Sequence, residues 1–206
     1  MSTHERPSGV GTELRRWFAD VPWWAGLAGG AGAFLGGYLL VILVIEVPGG
    51  GSTGTIVGQL TLIAMVFYNA QHIALRTTNH FAPWALDAHT YNFLADNVAR
   101  GSMAVPPVVY YAVPVVVLLV AGVLLARRQH DDRVPLPETA ARTGVSLVPG
   151  YLLLGLIGVG LFSYPTLRGH VARPDVLGVL LFGIAYPLVL GTVGGYVGAI
   201  LGRGRS

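Results

Sequence analysis

The side chains best suited to chemistry in this sequence lie close together in one short stretch. The stretch FYNAQHIAL, Phe67–Leu75, carries Tyr68, Asn69, Gln71 and His72 inside an otherwise apolar run. On a helix, Tyr68, Asn69 and His72 fall on one face, because residues three or four positions apart are neighbours. Imidazole can change its charge near neutral pH. These residues could therefore form a polar site for a proton, an ion or a small solute.

The same side chains have a second interpretation, which is structural. A polar group inside a membrane needs a partner, either another protein group or a water-filled pocket. Asn, Gln and His cross-link membrane helices at a gain of about 1 kcal/mol each. We therefore expect Asn69, Gln71 and His72 to hydrogen-bond neighbouring loops or helix ends and hold their own segment in place.

The sequence does not predict a metal site, a cofactor site or a catalytic residue. His72, His80 and His89 lie near Asp87, but their spacings of eight and nine residues match none of the usual helical zinc patterns. The chain has no cysteine, so thiolate catalysis and cysteine-ligated metals are excluded. Phosphate-binding, nucleophile-elbow and zinc-protease motifs do not occur in the sequence.

The composition is that of an all-α, polytopic membrane protein. Hydrophobic residues make up 53% of the chain and charged residues 11%, whereas soluble domains carry about 25% charged residues. Each of four apolar runs is long enough for a membrane helix, which needs about 20 residues. These predicted spans are Trp23–Val47, Val105–Ala126, Val145–Leu167 and Val176–Leu201.

The candidate stretch belongs to a segment that is less apolar than the four spans. Ile56–Leu75 has 20 residues, but its continuous apolar part is only Leu62–Tyr68, which favours a re-entrant or interfacial helix. Residues 83–100 have the apolar stripe of a short external amphipathic helix. Residues 1–22 form a polar leader, and residues 23–206 form a single transmembrane domain without internal repeats.

Glycines recur at helix-packing spacing in the first and fourth spans. Small residues four positions apart let two membrane helices approach closely. We therefore expect these two spans to make the tightest helix contacts. The predicted packing positions are Gly26, Gly30, Gly32, Gly36, Gly191, Gly195 and Gly198.

The distribution of arginine favours four spans over five. If residues 56–75 cross the membrane, seven arginines lie on the side of the N-terminus and six on the other side. If they do not cross, the numbers are nine and four. Because cytoplasmic loops carry an excess of basic residues, we expect four spans with both termini in the cytoplasm. The five-span arrangement is the alternative.

Several stretches resemble a haloarchaeal family of small polytopic membrane proteins of unknown function, which are sometimes labelled transporters. The resemblance rests on VFYNAQH, on the entry to the second span, and on two glycine-rich runs, at Val66–His72, Val105–Gly122, Gly150–Phe162 and Arg173–Leu201. It covers most of the chain from the first span onward. It implies the cell membrane of a halophilic archaeon and no established activity.

Two functions are compatible with these features. The first is a non-enzymatic structural or accessory membrane component, embedded in the lipid bilayer as a homo-oligomer or beside other membrane subunits. The second is a small transporter or channel with its polar site near Asn69 and His72. A transport path needs polar groups on several helices, and the spans offer few beyond tyrosines. This scarcity favours the first function, and the modest excess of basic residues does not indicate nucleic-acid binding.

Overall fold

The structure is a computed structural model of the chain, described over residues 9–46, 55–79, 89–92, 94–95, 105–129, 134–165 and 170–203. The helices are α1 (Val10–Ala19), α2 (Trp23–Glu46), α3 (Ile56–Ala70), α4 (Pro107–Arg128), α5 (Leu136–Leu161) and α6 (Val176–Arg203). The strands are β1 (Leu75–Asn79), β2 (His89–Tyr91), β3 (Tyr164–Pro165) and β4 (His170–Pro174).

Four helices are long and apolar enough to cross a membrane, namely α2, α4, α5 and α6. This confirms the predicted all-α class with four candidate spans. The helix α3 has 15 residues and is therefore about 22 Å long, which is short of the roughly 30 Å of bilayer hydrocarbon.

Some boundaries differ from the prediction. The helix α5 starts at Leu136 instead of Val145, because the polar stretch that precedes the apolar run is also helical, with Pro in its first turn. It ends at Leu161, because Tyr164 and Pro165 pair as a strand with β4.

The four long helices form a ring in which α2 contacts α5, α5 contacts α6, α6 contacts α4 and α4 contacts α2. The contact between α2 and α4 is the least extensive of the four. The first and fourth predicted spans, α2 and α6, thus each pack closely on α5 rather than on each other. Gly26 and Gly30 of α2 lie against α5, whereas the packing glycines predicted in α6 lie against α5 or α4.

The contacts between α2 and α5 show that these helices run in the same direction. Gly26, in the first turn of α2, lies against Ser146 of α5. Farther along, the rings of Phe34 and Tyr151 are 5.3 Å apart, and those of Tyr38 and Phe162 are 5.8 Å apart. If both α3 and α4 traversed the bundle, α2 and α5 would be antiparallel. The chain therefore traverses the bundle four times, and α3 does not cross it.

A small antiparallel sheet covers one end of the bundle, which we call the sheet end. The strand order is β2-β1-β4-β3. In the register of the central pair, Leu75 faces Pro174 and Asn79 faces His170. The sheet therefore joins the chain between α3 and α4 to the loop between α5 and α6. The opposite end carries α1, where Arg142 of α5 lies 3.2 Å from Asp20.

The prediction of an amphipathic helix over residues 83–100 is wrong for residues 89–91. His89–Tyr91 form strand β2, which pairs with β1. An open strand edge offers backbone hydrogen-bonding groups, and pairing with it outweighs the helical pattern of apolar side chains. Leu94 and Ala95 are helical, and the rest of this predicted helix lies outside the described residues.

Candidate functional site

The predicted polar residues lie in a segment that enters the bundle and turns back, which we call the re-entrant segment (Ile56–Asn79). It consists of α3, a turn, and β1. Thr55 caps the start of α3 by accepting a hydrogen bond of 3.2 Å from the backbone N–H of Gly58. Near the sheet end, the Gln59 side chain donates to the Glu46 carboxylate, and the Tyr38 hydroxyl donates to the Leu60 carbonyl.

The far end of α3 reaches the middle of the bundle. There Phe67 packs edge-on against Phe34 of α2, with ring centroids 5.1 Å apart. Tyr68 is fully buried and donates a hydrogen bond of 2.7 Å to the Gly155 carbonyl of α5. Tyr68 therefore fixes the depth of α3 against α5.

The turn after α3 is stabilised by the segment's own amide groups. The helix ends at Ala70, and His72 adopts a φ of 62°, in the left-handed region. Asn69 is buried, and its side-chain N–H donates to the Ile73 carbonyl at 2.7 Å. This bond spans the residue with positive φ, so Asn69 holds the tight reversal that sends the chain back toward the sheet end.

Gln71 joins the turn to α5. Its side-chain oxygen accepts a hydrogen bond of 2.9 Å from the Tyr151 hydroxyl, and its side-chain N–H donates to the Phe67 carbonyl. Both Gln71 and Tyr151 are almost completely buried. The amide thus has a partner for its oxygen and one for its nitrogen, as a buried polar side chain requires.

His72 faces α4 and α6, unlike the other polar residues of the turn. Its Nδ1 lies 2.7 Å from the Tyr186 hydroxyl of α6, and its ring stacks on Tyr111 of α4 at a centroid distance of 5.0 Å. The imidazole remains exposed. Of the four predicted site residues, His72 is therefore the one that is exposed.

The return strand is anchored at the sheet end. The Asp175 backbone N–H donates to the Ala74 carbonyl at 3.0 Å, just beyond the Leu75–Pro174 pair. The Asp175 carboxylate accepts from the Gly178 N–H at 2.8 Å and so caps the start of α6. The end of the re-entrant segment and the start of α6 are thereby held together.

The predicted site residues do not converge on one site. Tyr68 points to α5, Asn69 bonds within its own turn, and His72 lies between α4 and α6. The shared face required a continuous helix to residue 72, and the helix ends at Ala70. Sequence reasoning did not assign Tyr111, Tyr151 and Tyr186 as the partners, although their position inside apolar spans was a signal.

The space around the re-entrant segment is apolar. A cavity of about 140 Å³ lies between α2, α3 and α5, with walls that include Phe34, Phe67 and Leu154. In the part of the chain that the structure describes, no three His, Cys, Asp or Glu side chains cluster closely enough to hold a metal ion. His80 and Asp87, which the sequence analysis considered together with His72 and His89, lie outside the described residues.

The glycines with helix-packing spacing divide into two groups. A Cβ on Gly30 would lie 2.0 Å from the Leu147 carbonyl oxygen, and a Cβ on Gly26 would lie 2.3 Å from the Ser146 Cβ. Gly191, Gly195 and Gly198 likewise lie against α4 or α5. Gly32 and Gly36 are a correction to the prediction, because a Cβ there would meet nothing within 4 Å. They face the side of α2 where α4 packs only loosely.

Comparison with known proteins gives a family and no activity. Residues 16–202 match DUF7978, described as a family of unknown function. The chain belongs to the DUF7978 family. No curated protein and no solved structure matches it. The match begins inside α1 and ends in the last turn of α6, so the DUF7978 region includes the whole bundle, the re-entrant segment and the sheet.

Proposed function

We propose that this DUF7978 protein is a multi-pass protein of a haloarchaeal cell membrane, with both termini in the cytoplasm and a non-enzymatic structural or accessory role. One observation carries the proposal. The buried side-chain amides of the re-entrant segment form hydrogen bonds with the protein's own groups, Asn69 with Ile73 and Gln71 with Tyr151. A site that binds a solute at mid-depth needs polar groups left over for that solute.

Further support comes from the cavity beside the re-entrant segment. Its walls are apolar, and a small apolar cavity stays dry. A polar solute or ion would therefore pay its full desolvation cost there. The resemblance to haloarchaeal membrane proteins supports the choice of membrane, and the excess of arginine at the end carrying α1 supports the orientation. The bilayer is the first partner, and further membrane subunits or copies of the chain are the others.

One observation favours the second candidate, a small transporter or channel. His72 is exposed, bonded to Tyr186 and stacked on Tyr111. Histidine can bind and release a proton near neutral pH, and a hydroxyl beside it can pass a proton on. A route through this pair would run between α4 and α6, past the His72 imidazole and the Tyr111 and Tyr186 rings.

Proton flux distinguishes the two candidates. The purified full chain is reconstituted into liposomes that enclose a pH-sensitive dye, with potassium and valinomycin present to balance charge, and the outside is acidified. The structural role predicts the same decay of the pH gradient as in protein-free liposomes. The transporter role predicts faster decay that is reduced in His72→Gln and in Tyr186→Phe.

The matched control is Tyr196→Phe, which removes a hydroxyl from an exposed tyrosine of the same helix α6. Flux in the wild type that survives in this control and is lost in His72→Gln would overturn the structural proposal. Equal decay in all variants and in empty liposomes supports it.

A further inference from the structure

A long groove runs along the side of the bundle between α2 and α4. It has a cavity volume of about 590 Å³ and extends from Ala25 to Leu40 on α2. Gly32 and Gly36 form part of its floor, and a Cβ at either position would meet nothing within 4 Å. The groove exists because α4 packs less extensively on α2 than on α6. It is called the α2–α4 groove below.

The dimensions of the α2–α4 groove suit a single hydrocarbon chain. The sixteen residues from Ala25 to Leu40 cover about 22 Å of helix, which exceeds half of the roughly 30 Å of bilayer hydrocarbon. The walls of an empty apolar groove lack dispersion contacts. In a bilayer, the surrounding lipid chains can supply these contacts.

The polar end of the α2–α4 groove is basic. Its walls are apolar along α2 and along α4 from Val116, and its polar side chains are Arg128 and Gln129 at the end opposite the sheet. Arg128 is exposed, and the described residues give its guanidinium no hydrogen bond or ion pair. A guanidinium pairs well with phosphate. The groove is thus apolar along its length and cationic at one mouth, which is complementary to an anionic lipid.

We propose that the α2–α4 groove binds one hydrocarbon chain of an anionic membrane lipid, with the lipid phosphate at Arg128. The basic residue gives the charge preference, as in other basic sites at membrane surfaces, and the open floor at Gly32 and Gly36 gives room for the chain. This site does not depend on whether the protein is an accessory component or a transporter, because it uses neither the re-entrant segment nor His72.

The test measures lipid binding to the purified full chain in detergent by native mass spectrometry, with phosphatidylglycerol and phosphatidylcholine as the probes. The wild type is expected to bind phosphatidylglycerol roughly fivefold more tightly, the preference typical of one basic residue near anionic lipid. Arg128→Gln should reduce that ratio to about one. Gly32→Leu, which fills the groove, should weaken the tightest lipid binding of either kind at least about tenfold.

Two matched controls use sites away from the groove. Gly160→Leu makes the same change at another glycine that meets nothing within 4 Å, and Arg173→Gln removes an exposed arginine at the sheet end. Both should bind lipid like the wild type. Gly36→Leu is the second groove-filling variant, and it takes the place of Gly32→Leu in the test if Gly32→Leu expresses poorly.

Three results would overturn the proposal. The first is equal binding of the two lipids by the wild type, and the second is undiminished lipid binding in both groove-filling variants. The third is a wild-type dimer in the same spectra that Gly32→Leu dissociates, because a second copy of the chain would then occupy the groove.

Discussion

Gly158 illustrates, at the scale of single residues, how a missing side chain makes room for a hydrogen bond. A Cβ at this position would lie 2.0 Å from the Tyr68 hydroxyl. That hydroxyl donates to the carbonyl of Gly155, one turn earlier in α5. The absence of a side chain at Gly158 is therefore what allows a bulky tyrosine to reach the backbone of a neighbouring helix.

The closest helix contact yields a first prediction. A Cβ at Gly150 would lie 1.9 Å from the Leu27 carbonyl oxygen and 2.8 Å from the Ala31 nitrogen. Because both obstacles are backbone atoms, Gly150→Ala must separate α2 from α5 and should lower the free energy of unfolding by about 1–3 kcal/mol. Denaturant unfolding in detergent, followed by circular dichroism, measures this change.

The control for this prediction is Gly160→Ala in the same helix. Gly160 has open space around it, so the substitution should leave the free energy of unfolding unchanged or raise it by up to about 1 kcal/mol through helix propensity. An equal effect of the two substitutions would mean that the close approach at Gly150 does not limit packing.

Sequence spacing identified glycines but could not identify what each one faces. Gly30 and Gly32 lie in the same run and both belong to small-residue rows four positions apart, yet one touches α5 and the other lines open space. The difference is set by the rotation of α2 about its axis, which depends on the tertiary positions of α4 and α5. For the same reason the sequence could not pair Gln71 with Tyr151, 80 positions away.

At the scale of elements, the re-entrant segment is the feature that the sequence predicted well in outline and less well in detail. The short apolar length and the polar interruptions indicated that residues 56–75 would not cross. The strand after the turn was not predicted, because LRTTN is short and gains its hydrogen bonds from β4 and β2. A strand whose partners lie far away in sequence leaves only a weak local signal.

The second prediction concerns the link between this segment and α5. Tyr151→Phe leaves the side-chain oxygen of Gln71 buried without its donor, and Gln71→Leu removes the acceptor. A double-mutant cycle should therefore give a coupling free energy of roughly 0.6–1.7 kcal/mol, the range for hydrogen bonds between membrane helices. The same unfolding measurement provides the four values of the cycle.

A control cycle combines Tyr151→Phe with Thr90→Ala, a substitution at an exposed residue of β2. Those two changes should be additive, because the sites share no partner. Additivity in the Gln71–Tyr151 cycle as well would contradict the hydrogen bond as a stabilising link.

At the scale of the whole molecule, the direction of the helices determines which loops share a side. With α2 and α5 parallel, the sheet lies at one end and the start of α5 lies at the other. The charge count had favoured the same arrangement from 13 basic residues. The arginine distribution reports on the membrane side of each loop, whereas the parallel contacts report on the number of traversals, so the two arguments are independent.

Cysteine labelling provides the third prediction, since the chain has no cysteine of its own. Thr90→Cys lies at the sheet end and Pro137→Cys at the start of α5, and both positions are exposed. A membrane-impermeant maleimide added to intact cells should label Thr90→Cys at once and Pro137→Cys only after permeabilisation. The unmodified chain serves as the unlabelled control.

Labelling of both cysteines in intact cells would contradict the crossing of α4, which separates the two positions. The reverse pattern, with Pro137→Cys labelled first, would contradict four spans with both termini in the cytoplasm, because it is expected from an inverted orientation and also from the five-span arrangement with a cytoplasmic N-terminus.

The pairing of β1 with β4 also has a consequence for biogenesis. Leu75–Asn79 leaves the ribosome long before His170–Pro174, so during synthesis the nascent return strand lacks its central neighbour until α5 has been inserted. A chain that terminates before residue 170 can make α2, α3 and α4 but cannot complete the sheet. Maturation of the first half of the protein therefore depends on translation of about the last fifth of the chain.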